Sequence, residues 1–176
     1  MLPRLCSGVN TYTPSRINNS NQESLREISR AVPGLCPTPI GYGPLSSSSG
    51  YFFLCTFHNL SSSTNPKAQA AELAKLHSYT SPNGKYGFHV PTCCGSTKMP
   101  NDWESSWTQF FAKYRLRAIL EDDRRNNGAD PEMDELGRQC VEQVVPRLLG
   151  ALESNGTSIK PVLVHGDLYT HPTKVS

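Results

Sequence analysis

Apolar residues recur at helical spacing in two stretches of this chain and crowd together in two others. In "SNQESLREISRAV", Leu25, Ile28 and Val32 fall on one face, and Ser20 and Glu23 have the spacing of a capping box. That pattern predicts a helix beginning at Ser20. In "DWESSWTQFFAKYRLRAIL", Trp103, Trp107, Phe110, Phe111, Tyr114 and Ala118 form one wide stripe behind Asp102. It predicts a second helix with a core-facing aromatic edge. The crowded stretches are "YFFLCTF", Tyr51 to Phe57, and Val162-Leu163-Val164; both read as buried strands. Pro37 and Pro39 keep "CPTPIGYGP" extended, "HNLSSSTN" reads as a linker, and Pro66 opens the helix "PKAQAAELAKLH". A further helix runs from about Pro131 to Val145, and Pro146 restarts a short one. The long stretch "SPNGKYGFHVPTCCGSTKMPN" is a loop, which Tyr86, Phe88 and His89 mark as ordered and as a place for function. Residues 1–20 are polar and carry no period.

Composition narrows the class. With 176 residues, 36% hydrophobic and 18% charged, the chain makes one sizeable domain or two small lobes. A net charge of +2, with basic residues spread along the chain, argues against a nucleic-acid partner. No stretch approaches the roughly 18 apolar residues of a membrane span, and the N-terminus lacks the apolar run of a signal peptide. The expectation is a cytoplasmic protein with no membrane partner and six reduced cysteines. None of the cysteines forms a CxxC pair, which removes the usual zinc signature, and Cys93-Cys94 read as small hydrophobes rather than a redox switch. His77 closes its helix, where the dipole favours a packed histidine.

The candidate chemistry lies where Val162-Leu163-Val164 runs into His165-Gly166-Asp167. Phosphoryl transfer needs a carboxylate to accept the substrate hydroxyl proton and further groups to hold Mg²⁺ and phosphates. Asp167 suits the first role, and His165 suits orienting the turn before it. Pro172 stands five residues after Asp167, where a kinase has a metal-binding Asn, and its side chain has no oxygen to offer. No metal ligand is therefore assigned.

The segments "YGFHVPTCCGSTKMPNDWESSWTQFFAKYRL" and, further on, "PVLVHGDL", with "ESLREISRAVPGLCPTPIGYG" and "YFFLCTFHNL" upstream, resemble the fructosamine-3-kinase family. These are the ketosamine or protein-ribulosamine 3-kinases, and the likeness is to their fungal form, over residues 21–169. The resemblance implies an α+β, protein-kinase-like (aminoglycoside-phosphotransferase-like) two-lobe fold, here incomplete. Residues 1–20 would be disordered or outside the family. Residues 21–60 would be a partial small β-containing lobe with the hinge, and 61–176 a truncated, mostly helical large lobe ending in the catalytic loop. The implied reaction is phosphorylation, by ATP with Mg²⁺, of the 3-hydroxyl of a ribulosamine or fructosamine carried by a glycated protein or a small ketosamine, a deglycation repair. Asp167 would be the catalytic base. Thr56, Phe57 and His58 would line the hinge that holds adenine. Tyr169, where the family usually has Trp, and His165 would contact the sugar.

The chain departs from that pattern. No lysine precedes Lys67, although the family has one on the strand before its first helix. The glutamate that pairs with it aligns with Asn21, with Glu23 close by, and the Asn and second metal-binding Asp beyond His-Gly-Asp are missing. The expectation is a chain truncated at both ends and inactive as it stands. Its alternatives are a non-catalytic kinase-like binding protein and a small-molecule, aminoglycoside-like kinase.

Overall fold

The computed structural model describes residues 5–10, 15–46, 50–57, 65–95, 97–154, 156 and 158–166, with side chains from residue 20 onward. Three antiparallel strands come first: β1 (Leu5–Asn10), β2 (Pro39–Pro44) and β3 (Tyr51–Thr56), in the order β1-β3-β2, with helix α1 (Ser15–Ala31) between β1 and β2. Gly8 and Tyr42 both stand opposite Phe53, one on each side of the central strand. Residues 5–10, expected to be unstructured or outside the family with the rest of 1–20, are an edge strand. Helix α1 likewise begins five residues before the predicted start, so Ser20 is a buried residue inside the helix and not its cap. Every described residue of β3 is half-buried, where a fully buried strand was expected.

Helix α2 (Pro66–Leu76) starts as the sequence dictates. Pro66 occupies the first turn and the Asn65 side chain accepts from the Lys67 and Ala68 backbone N–H groups. His77 caps its other end through its backbone N–H and is exposed. The first core joins α1 to α2: Ile28, Val32, Cys36 and Leu76 are buried, and Leu25, Leu73 and Leu163 pack against them. The predicted face of α1 is the face that is used.

The long loop after α2 contains a small hairpin, β4 (Thr92–Cys94) with β5 (Thr97–Met99). Cys93 lies opposite Lys98 and Cys94 opposite Thr97, both as free thiols. Helix α3 (Trp107–Phe111) starts five residues later than Asp102. The cause is an antiparallel bridge in which Tyr86 and Glu104 exchange both backbone hydrogen bonds, each 2.8 Å, holding the chain before the helix extended. Ser106 then caps α3, and Trp103 is left out of the helical stripe. A π-helical turn (Ala112–Arg117) leads into α4 (Ala118–Asn127).

Asp130 caps α5 (Pro131–Gln139) through the N–H groups of Glu132 and Met133. The helix does not end before Pro146. A second π-helical turn (Cys140–Val144), in which the Val145 N–H reaches Cys140 O, carries it into α6 (Val145–Leu149) and a 3₁₀ turn (Gly150–Glu153). Helices α4 and α5 approach closely at Gly137, where a Cβ would lie 2.7 Å from Leu120 Cδ1. Along α5 to the 3₁₀ turn, Met133, Leu136, Val144, Leu148 and Leu152 stay largely exposed. Val162 is not part of a strand but makes a single antiparallel bridge with Thr80.

Candidate functional site

The second core is Tyr86, Phe110 and Tyr114 with Trp107 and Ile159 against it, and Tyr86, Trp107 and Phe110 of this cluster line a cavity of about 560 Å³. Its walls are the polar face of α1 (Glu23, Glu27 and Arg30), the segment 79–82, the aromatic loop 85–89, Trp103, and the segment Pro161–Val164 that precedes His165. Most small-molecule sites fall between about 300 and 1,000 Å³.

Four contacts between distant residues shape it. The Glu153 carboxylate stands at the start of α3 and accepts from Ser106 Oγ (2.9 Å), Trp107 N (2.6 Å), Thr108 N (2.9 Å) and Thr108 Oγ1 (2.6 Å). Burial works to raise its pKa, but these donors outweigh burial and hold it below the ordinary 4.5. Tyr86 donates its hydroxyl to Ile159 O and packs on Trp107, with ring centroids 5.5 Å apart. Burial, with the nearby Glu153 charge second, raises its pKa.

Arg115 fixes the far side of the loop. It donates to Pro100 O (2.9 Å), Tyr114 O (2.9 Å) and Asn101 Oδ1 (2.7 Å), and its guanidinium lies 4.6 Å above the centre of the Phe110 ring. Burial lowers its pKa. Buried Asn101 in turn donates to Val90 O and Thr92 Oγ1. Gly87, at φ +145°, passes so close to this wall that a Cβ would sit 2.7 Å from Asn101 O.

The fourth contact ties α1 to the loop: Glu23 Oε2 lies 3.1 Å from His89 Nε2, and its other oxygen accepts from Arg26 at 2.8 Å. The His89 bond is the main reason the Glu23 carboxyl titrates below its ordinary value. Glu27 pairs with Arg30 in the same way at 2.8 Å.

The residues singled out from sequence do not all meet here. Thr56 ends β3 with its N–H donated to Thr38 O and its Oγ1 accepting from Thr38 N. Phe57 is exposed, and neither residue lines the cavity. His165 is exposed just past the cavity wall. His58, Asp167 and Tyr169 lie outside the described residues. Among the described residues no three His, Cys, Asp or Glu side chains are grouped to hold a metal ion.

A small antiparallel sheet carrying one helix, followed by a mostly helical part, is the α+β arrangement of a partial two-lobe, kinase-like fold. The solved structures agree. One assigned as a fructosamine-3-kinase from Haemophilus somnus 129PT superposes with TM-score 0.68 at 23% identity, covering 94% of this chain and 52% of that one. Another so assigned, from Thermobifida fusca, gives 0.68 at 17% identity, covering 93% and 54%.

The chain belongs to the fructosamine kinase family, whose sequence profile matches residues 9–176. Relatives include the chloroplastic protein-ribulosamine 3-kinase of Oryza sativa subsp. indica, 30% identical over 76% of this chain and 37% of its own length. The ketosamine-3-kinase of Mus musculus is 35% identical over 48% of this chain and 25% of its own length. The chain thus spans well under two thirds of the length of these relatives.

Proposed function

We propose that this chain serves ketosamine 3-phosphorylation, with ATP as phosphoryl donor and a ribulosamine or fructosamine, free or on a glycated protein, as acceptor. The observation that carries the reading is the family match across residues 9–176, which includes Val162–Val164 and His-Gly-Asp. In this reading Asp167 takes the proton of the attacking 3-hydroxyl, which raises the nucleophilicity of the oxygen as it meets the phosphorus. His165 orients the turn and, with Tyr169, holds the sugar. Adenine rests against the hinge of Thr56, Phe57 and His58. Mg²⁺ would neutralise charge on the phosphates when bound; no ligand for it is assigned. The 3-phosphate then leaves by elimination, and water hydrolyses the remaining carbon–nitrogen link, which frees the amine and a dicarbonyl sugar fragment. Absence of a membrane-spanning helix among the described residues fits a soluble, cytoplasmic setting.

A second reading, ketosamine binding without turnover, is favoured by one observation. The strand before α1, Leu5–Asn10, reads LCSGVN and holds no lysine. Without a cation there, charge on the transferred phosphoryl loses a stabiliser of the kind that usually dominates such catalysis. The deciding experiment incubates the chain with ATP, Mg²⁺ and ribulosyl- or fructosyl-lysine and follows 3-phosphate formation, beside calorimetry with the ketosamine alone. Product that disappears in Asp167→Asn supports the kinase. Saturable ketosamine binding without product supports the second reading, and neither signal refutes both.

A further inference from the structure

We propose that Cys6 and Cys55 form a reversible disulfide, closed when the surrounding thiol pool turns oxidising, that staples edge strand β1 to central strand β3. Nothing in it depends on the phosphotransferase reading. Backbone register brings the two cysteines together: Cys6 stands directly opposite Cys55 in the antiparallel β1–β3 ladder. Directly opposed positions share a face of the sheet. Among the described residues no other two cysteines are so placed. Cys93 lies opposite Lys98 and Cys94 opposite Thr97, and as neighbours on one strand these two point to opposite faces. Cys36 is buried with its sulfur 3.3 Å from Ser29 Oγ, and Cys140 sits in a π-helical turn.

The hydrogen-bond pattern decides what kind of pair this is. Along β3 the backbone groups of successive residues turn alternately to β2 and to β1. Thr56 N–H donates to Thr38 O at 3.0 Å, and Gly50 O accepts from Leu45 N–H at 2.9 Å, so residues 50, 52, 54 and 56 turn toward β2. The two prolines of β2 agree. Pro39 lies opposite Cys55 and Pro44 opposite Tyr51, positions where the ladder needs no donor. Cys55 therefore turns its N–H and C=O toward β1, and Cys6 and Cys55 are a hydrogen-bonded pair. The Cα atoms of such a pair lie about 5.5 Å apart, inside the roughly 4.4–6.8 Å that a disulfide spans. Their Cβ atoms, also about 5.5 Å apart, must close to about 4 Å before sulfur meets sulfur. A disulfide here is reachable but strained, and strained disulfides are the easily reduced, regulatory ones.

Access suits exchange. Strand β1 lies at the sheet edge, and Cys55 is half-buried with its thiol reduced. The oxidant is a small disulfide, glutathione disulfide. One cysteine thiolate attacks it and releases one glutathione; the second thiolate attacks the mixed disulfide and releases the other. In net, two electrons and two protons pass from the protein thiols to glutathione. The closed link encloses α1 and β2, and it ties the strand before α1 to the strand that runs into Phe57.

The test equilibrates the full chain in glutathione buffers of increasing disulfide content, then alkylates and digests it. Mass spectrometry should find a peptide pair joining Cys6 to Cys55 that grows with disulfide content and vanishes on return to reducing buffer. The oxidised chain should run as a monomer on a non-reducing denaturing gel. Hydrogen exchange of the Leu5–Asn10 amides should slow by about tenfold or more on oxidation, and Cys6→Ser should abolish that slowing. Moving the pair one step tests the strain. Ser7 stands opposite Leu54, a non-hydrogen-bonded pair. Ser7→Cys with Leu54→Cys, in a chain carrying Cys6→Ser and Cys55→Ser, should form a disulfide that survives in buffers about tenfold more reducing. Glutathione left on single cysteines, links between chains, or no Cys6–Cys55 link at any ratio would overturn the proposal, as would slowing that persists in Cys6→Ser. A shifted pair that opens in the same buffer as the native one would overturn its strained, reversible character. If the shifted chain loses its native circular dichroism, persistence of the Cys6–Cys55 link in millimolar reduced glutathione would do so instead.

Discussion

Replacing Glu153 by Gln tests the most concentrated set of contacts in the protein. One carboxylate accepts four hydrogen bonds across the 45 or so residues separating the 3₁₀ turn from the start of α3. Hydrogen bonds to a charged group contribute about 1.5–3 kcal/mol each when isolated, and loss of a helix cap costs about 0.5–2 kcal/mol. An amide oxygen keeps part of the set, while its NH₂ faces donors. We expect Glu153→Gln to lose about 2–3 kcal/mol, which lowers Tm by about 5–10 °C for a chain of this size. The pH dependence gives an independent check. The folded state holds the Glu153 pKa below the ordinary 4.5, so the contribution is complete above that value and is lost as pH falls through the folded pKa. Thermal melts followed by circular dichroism at pH 7 and stepwise below 4.5 should show the gap between wild type and Glu153→Gln closing in acid. A gap under about 1 °C at pH 7, or one that stays constant into acid, would refute the stabilising role of the Glu153 carboxylate at the start of α3.

Gly87→Ala should cost about 2–4 kcal/mol in urea unfolding, because the Cβ meets the Asn101 carbonyl and the Trp103 ring at a φ that alanine resists. Arg115→Lys should cost about 1–3 kcal/mol, since an ammonium cannot span Pro100 O and Asn101 Oδ1 while covering the Phe110 ring, and the same melts measure it. The exposed stripe from Met133 to Leu152 should bind an apolar fluorescent dye, and Leu148→Glu should reduce that signal without lowering Tm. On the reading of ketosamine binding without turnover, calorimetry should find Mg·ATP binding absent or weak, because β1 offers no lysine to the phosphates; tight, Mg²⁺-dependent binding would contradict that reading and favour the kinase.

The parts of the fold legible in the sequence are those whose cause is local. Pro66 behind Asn65 and Pro131 behind Asp130 announce their helices, and the spacing of Leu25, Ile28 and Val32 gives the buried face of α1. What escaped has a distant cause. Strand β1 has little strand signal of its own and exists by pairing with β3, more than forty residues later. The start of α3 is delayed by Tyr86, which no window around Asp102 contains. Pro146 is passed because a wider turn precedes it, and nothing in the composition of CVEQV announces that turn. At the site, the aromatic loop 85–89 was readable, whereas Glu153 and Arg115 look like ordinary helix-surface charges until their partners are known.

The contacts that close the cavity also impose an order on how the protein can be made. Tyr79 waits for Leu163, Tyr86 for Ile159 and Trp107 for Glu153, so each wall is completed by residues synthesised long after it. A nascent chain that has emerged only as far as α4 carries Trp103, Trp107 and Phe110 without their cover, and long-range closure of this kind is slow. Such a chain exposes an adhesive aromatic surface for the seconds of translation that remain. A stalled chain of which α4 has just cleared the ribosome should therefore present a stronger substrate for chaperones than one in which Val164 has cleared it too.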